Sequence, residues 1–125
     1  MKKEIISTSE APAAIGAYSQ AVKAGELIFV SGQIPLTPAG ELLTGSVEEQ
    51  TEQVLKNLEA ILLEAGSSLS QVVKVNIYAA DLEDFAEINR IYSGFFQTDP
   101  PARAFVEVSR LPKDVRVEIS CTAVS

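Results

Sequence analysis

Arg103 and Glu118 are the two residues whose chemistry stands out in this chain. Arg103 follows Pro100-Pro101-Ala102 at the head of a β-prone stretch. A guanidinium is a rigid fork that takes a carboxylate through two parallel charge-assisted hydrogen bonds. On its own, such a residue is more often a surface or salt-bridged arginine. Glu118 lies inside the last β-prone stretch, on its polar side. A positioned carboxylate can accept a proton as water adds to an electrophile. Most strand glutamates are instead solvated or paired. Tyr18 reads as half-buried packing or a cleft wall. Ser31-Gly32 reads as strand-end turn chemistry or as a place where a ligand meets the backbone closely. Asn89 sits among apolar helix positions, where a local hydrogen bond is the plain alternative.

The missing residue types narrow the chemistry further. The chain holds no histidine and one cysteine, Cys121. That rules out a Ser-His-Asp triad and a Cys-His pair, and it argues against a zinc site. No stretch matches a phosphate-cradling glycine loop. Catalysis must therefore come from Arg, Glu, Asp, Tyr, Ser, Asn, Cys121 or backbone groups. These suit a substrate that is already reactive and needs only to be held, polarised and given a water. Net charge is −7, and the ten Lys and Arg are scattered without a basic run. Nucleic acid is therefore not an expected partner. No run approaches a membrane span, and no apolar stretch follows Lys2-Lys3 as a signal peptide would need. A lone cysteine makes no internal disulfide, so the cytoplasm is expected. The 125 residues are the size of one domain, residues 1–125.

The elements that must position these residues follow from pattern. Leu27-Ile28-Phe29-Val30 between Gly25 and Gly32 reads as a strand. Ala17 to Val22 could be its hairpin partner, turning through Lys23 to Glu26. Ser46 with Glu49 is a capping box, and Val47, Val54, Leu55, Leu58, Ile61, Leu62 and Ala65 recur at helical spacing. A helix over 47–65, closed by Gly66, is predicted. Val72 to Tyr78 is rich in β-branched residues and predicts a strand. Asp81 is the expected N-cap of a second helix whose stripe is Leu82, Phe85, Ile88, Asn89, Tyr92 and Phe96. Pro100-Pro101 stops it. Residues 102–108 and 115–124 predict two more strands. In the last, Arg116, Glu118, Ser120 and Thr122 point one way and Val115, Val117, Ile119, Cys121 and Ala123 the other. The predicted order is ββαβαββ, an α+β domain with two helices on one face of a sheet. Phe29, Phe105 and other apolar strand residues leave too much apolar surface for a solvated second face, so self-association is plausible.

A resemblance rests on the stretches Ala11 to Ala21, Phe29 to Pro35, Asp81-Leu82 through Phe85, Asn89 to Phe96, Pro101-Ala102-Arg103, Val106-Glu107-Val108 and Leu111-Pro112-Lys113-Asp114 followed by Val117-Glu118-Ile119. Each is weakly specific, but their order and spacing together are highly specific. The chain resembles the RidA (YjgF-like) family of 2-iminobutanoate/2-iminopropanoate deaminases, essentially end to end. The resemblance implies a chorismate-mutase-like fold with a mixed sheet, and a homotrimer whose sheets form a barrel with clefts between subunits. It implies hydrolysis of 2-imino and enamine acids to 2-oxo acids and ammonia, without a cofactor. It implies Arg103 as the carboxylate clamp, Glu118 as the holder of the hydrolytic water, and Tyr18, Ser31, Gly32, Asn89 and Phe105 as substrate-binding positions. Glu107 and Arg110 are expected to serve structure.

Two positions depart from the family pattern. Ala17 stands where many relatives have proline. Phe105 stands where several have cysteine, so its ring, if it faced the pocket, would change the pocket's size. Cys121 does not match that cysteine and reads as a small core residue. The alternatives are a non-catalytic binder of small carboxylates, a protein-partner role such as a chaperone or translation inhibitor, and a mutase-like enzyme suggested by fold alone.

Overall fold

The computed structural model describes residues 2–125. Six strands form one mixed sheet: β1 (Lys3–Ile6), β2 (Ala21–Ala24), β3 (Leu27–Gln33), β4 (Val72–Ala79), β5 (Ala102–Glu107) and β6 (Val117–Val124). Two helices, α1 (Val47–Glu64) and α2 (Phe85–Phe95), pack on one face. The strand order is β1-β2-β3-β6-β4-β5, with β4 and β5 parallel and every other pair antiparallel. The architecture is the predicted α+β one, with one strand more than the sequence pattern indicated.

The differences have local causes. β1 is short and exposed except at Ile6, so no alternation marks it, and it becomes a strand only by pairing with β2. The hairpin partner of β3 lies at Ala21–Ala24 rather than over 17–22. A two-residue turn, Gly25-Glu26, closes it, and Gly25 supplies a φ of 61° that few other residues adopt without cost. The first helix follows its pattern closely. Ser46 Oγ accepts from the Glu49 amide at 3.2 Å, and Gly66 leaves the helix at φ 82°. Asp81 does cap, but it caps a single 3-10 turn over Leu82–Asp84, and α2 starts only at Phe85. β6 starts at Val117 rather than Val115, with the expected alternation.

Val54, Leu55, Leu58, Ile61 and Leu62 of α1 and Ile88 and Tyr92 of α2 meet Ile28, Val75, Ile77, Val117, Ile119 and Ala123 of the sheet. Cys121 lies in this core, where burial pushes its thiol up to about 12, which makes it a small apolar residue in practice. Buried amides tie the loops to the core. Gln20 donates to the Pro12 carbonyl at 2.8 Å and accepts from the Thr8 amide at 2.7 Å. Asn57 donates to the Leu36 carbonyl at 2.9 Å, and Gln50 accepts from the Arg116 amide at 2.9 Å. These bonds give the long segments on either side of β3 a defined course.

The other face of the sheet has no helix. Strand register puts Ile5, Val22, Phe29 and Thr122 side by side there, with Leu27 and Val106 on the same face. Ile5, Leu27, Phe29 and Val106 are exposed. Phe105, expected to add to this surface, is on the helix face instead, partly buried against the core. Among the described residues no helix is long and apolar enough to cross a membrane.

Candidate functional site

Arg103 stands on β5, at the edge of the sheet, in register with the buried Val75 and therefore on the helix side. Its Nη1 donates to Asn89 Oδ1 of α2 at 2.7 Å. Its Cζ lies 5.0 Å from the Tyr92 ring centroid, 5.8 Å from that of Phe85 and 5.7 Å from that of Phe105. Phe85 and Phe105 also pack on one another at 4.8 Å. Each cation–π contact at an exposed site is worth roughly 0.5–1 kcal/mol. Together with Asn89 they hold a normally mobile side chain in one orientation. Among the described residues Arg103 has no carboxylate partner. With Nη1 occupied, the edge formed by Nε and Nη2 is free, and that edge matches the two oxygens of a carboxylate. Phe105 thus serves the arginine through its ring. Asn89 spends its side-chain oxygen on the same task.

Tyr92 was read from sequence only as helix-face packing. It forms the floor under the guanidinium, and its hydroxyl is buried without a partner. Burial raises its pKa most, Arg103 opposes that rise, and Cys121 adds to it.

Glu118 stands on β6 in register with Tyr78, on the helix-free side. It lines a cleft of 410 Å³ with Tyr18, Gly32, Gln20, Ile15 and Lys113 among its walls. Among the described residues no side-chain donor reaches its carboxylate. Partial burial raises its pKa from the ordinary glutamate value. An unpaired, part-desolvated carboxylate beside a void is suited to holding and deprotonating a water.

Gly32 has a structural reason to be glycine. A Cβ there would occupy the space of the Glu118 carboxylate. Because the obstacle is the end of a flexible side chain, Gly32→Ala is expected to fold with a near-normal melting temperature while displacing that carboxylate. If Glu118 acts on substrate, kcat/KM for a 2-imino acid should fall about ten- to a hundredfold, the usual cost of an ångström-scale misplacement. Unchanged turnover in the alanine variant would show that this carboxylate position is not used.

Ser31 does not line the cleft. Its hydroxyl donates to the Ser19 carbonyl at 2.6 Å and its amide to the Gln20 carbonyl at 2.9 Å, which fixes the segment carrying Tyr18. Glu107 accepts from the Leu82 amide at 2.9 Å, and Arg110 forks onto Asp114 at 2.6 and 3.1 Å. Gln20 and Lys113 were not singled out from sequence, although both lie within the stretches that carry the resemblance. No group of three potential metal ligands occurs among the described residues.

The candidate residues therefore form two half-sites. Arg103, Asn89 and Phe105 lie on the helix side of β5; Tyr18, Gly32 and Glu118 surround a cleft on the other side of β3 and β6. From Arg103 to Glu118 the backbone path is two strands sideways, about 10 Å, and three residues along, about 10 Å. The two side chains project to opposite faces. No small molecule can touch both within one copy of the chain.

The family model described as endoribonuclease L-PSP matches residues 8–125. A RutC family protein of Pyrococcus abyssi is 55% identical over 124 residues, covering 98% of each chain. The rat 2-iminobutanoate/2-iminopropanoate deaminase is 50% identical over 123 residues, covering 98% of this chain and 90% of the rat protein. Among solved structures, that of E. coli TdcF with bound serine superimposes with a TM-score of 0.94 at 44% identity, covering 98% of both chains. A match of this length, together with the shared fold, places the chain in the endoribonuclease L-PSP family, also known as the YjgF or RidA family.

Proposed function

We propose that this protein is a hydrolytic deaminase. It takes reactive 2-imino acids and their enamine tautomers, such as 2-iminobutanoate and 2-iminopropanoate, to 2-oxo acids and ammonia. The observation that carries this reading is the pair of half-sites: a pre-oriented guanidinium with a free edge, and an unpaired carboxylate beside a cleft. The similarity to a rat protein named as such a deaminase supports it. Arg103 binds the substrate carboxylate. Glu118 accepts a proton from water while the oxygen attacks the imine carbon. The carbinolamine nitrogen then takes back that proton from Glu118, and Glu118 accepts the hydroxyl proton as the C–N bond breaks, ammonia leaves and the C=O bond of the 2-oxo acid forms. An iminium is electrophilic enough that a carboxylate base suffices. The balance needs no redox partner, and the cytoplasm is proposed as its location because the single cysteine makes no internal disulfide.

Because the half-sites face opposite sides of the sheet, the same reading requires a second copy. Arg103 of one subunit meets Glu118 of the next, in a homotrimer closed through the exposed apolar sheet face. A repeated head-to-tail contact closes into a ring when the rotation between copies closes, which for three copies is a third of a full turn. Mixing tests both parts at once. Arg103→Ala and Glu118→Gln chains, each inactive alone, are denatured together in equal amounts and refolded. Random assembly then builds an intact site at about one interface in four. The expected result is about a quarter of wild-type imine turnover, from particles of trimer mass by light scattering. Zero recovery from properly assembled particles would place both residues in one subunit's site, and a monomer mass would remove the shared site altogether.

A second reading is a non-catalytic binder of small carboxylates. The TdcF structure with bound serine favours it to the extent that serine is such a molecule. It needs the Arg103 clamp and has no use for Glu118.

A further inference from the structure

We propose that Lys113 is a substrate-capturing residue of the Glu118 cleft, a second cation that draws the anionic substrate in before the arginine takes its carboxylate. The proposal rests on the imino-acid reading given above. Lys113 lines the cleft, and it and Glu118 are the only charged residues of the cleft wall. It also borders an adjoining hollow of 300 Å³ lined by Pro38, Ala39 and Leu42, and it is the one charged residue that the two hollows share. Among the described residues it has no ion-pair partner.

The backbone around Lys113 is unusual. Lys113 and Asp114 are consecutive residues with φ 56° at each, and neither is glycine. Glycine adopts this conformation at no steric cost, and other residues do so at a penalty. The segment is clamped on both sides, with Leu111 and Val115 buried and Asp114 held by Arg110. The Asp114 carboxylate is thus accounted for by its fork. Among the described residues the Lys113 side chain has no hydrogen bond or ion pair, and the turn sets the residue into the cleft wall.

Charge gives that placement a purpose. The protein carries −7 overall, and the cleft contains an unpaired carboxylate. A 2-imino acid carrying a carboxylate meets net repulsion from both. One ammonium at the rim reverses the local sign where the substrate enters, an effect that salt screens within about 10 Å at 0.1 M.

The test uses the full-length protein and 2-oxobutanoate as the calorimetric probe, at low and at high ionic strength, beside the imine assay. The wild type, Lys113→Gln, Lys113→Arg and Lys113→Gly are compared. Lys113→Gln is expected to weaken 2-oxobutanoate binding about five- to tenfold at low salt, with KM rising while kcat holds, and the gap is expected to close at high salt. Lys113→Arg should restore binding. Lys113→Gly should melt higher, because it relieves the positive φ, and still bind as weakly as the glutamine variant. Equal low-salt binding by all four proteins overturns the proposal, and so does a loss that is independent of salt. A wild type that does not bind 2-oxobutanoate at any salt overturns the imino-acid reading along with it. A wild type that binds while the variants are unaffected overturns the Lys113 role alone.

Discussion

Arg103→Ala is expected to abolish nearly all imine turnover, a loss of about 2–4 kcal/mol in transition-state stabilisation, the scale of removing one preorganised charged donor. The fold should survive. Arg103 is exposed at a sheet edge, and what it contributes there is one hydrogen bond to Asn89 and three ring contacts of modest size. Circular dichroism and light scattering of the variant should match the wild type. Arg103→Lys should rescue poorly for a reason visible in the site. The slot between Tyr92, Phe85 and Phe105 is shaped for a flat group, and a lysine ammonium offers a point charge without the paired donors of the Nε–Nη2 edge. Near-normal turnover by the alanine variant would show that the substrate carboxylate is bound elsewhere.

Glu118→Gln separates catalysis from binding. A group that holds the attacking water acts mostly in the transition state, so kcat should fall by roughly two orders of magnitude or more. Affinity for 2-oxobutanoate, which needs mainly the arginine, should change little. One competing role for Glu118, pairing with Arg116 or Arg103 of its own subunit, does not fit the geometry. Arg116 forks onto Asp84 at 2.6 and 3.2 Å, and Arg103 projects from the other face of the sheet.

The pH behaviour of Glu118 adds a second readout. Burial raises its pKa, and a base works only when ionised, so kcat/KM should climb with pH through a value above the ~4.3 of a free glutamate, then level. The sign for stability is the reverse. A carboxyl that binds its proton more tightly when folded stabilises the fold as pH drops through that value and costs stability above it. Glu118→Gln at neutral pH should therefore melt no lower than the wild type while losing turnover. Parallel loss of 2-oxobutanoate binding and turnover would refute the water-holding role, full turnover by the variant would show that another group holds the water, and 2-oxobutanoate binding without imine turnover in the wild type itself would support the carboxylate-binder reading.

The sequence alone determined most of the frame. Helical spacing from Val47 to Ala65, with its cap at Ser46 and stop at Gly66, specifies α1 almost to the residue, because capping and periodicity are local properties. The alternation from Val117 to Ala123 settles which residues of β6 enter the core and leaves Glu118 on the other face. Absent histidine and scattered basic residues already narrowed the chemistry. Other features were decided only by tertiary structure. The Lys3–Ile6 strand and the true position of β2 come from pairing between segments, which leaves no period in either one. Phe105 is named by the resemblance as a pocket position, but only the parallel pairing of β5 with β4, which sets it beside Ile77, brings its ring to the Arg103 guanidinium. Gly32 is explained by the Glu118 carboxylate across the β3–β6 ladder, 86 positions away in the chain. The separation of Arg103 from Glu118 is of the same kind. Residue types and spacing name both partners, but which face each occupies depends on strand order and register, and those are fixed by long-range packing rather than by either segment's own sequence.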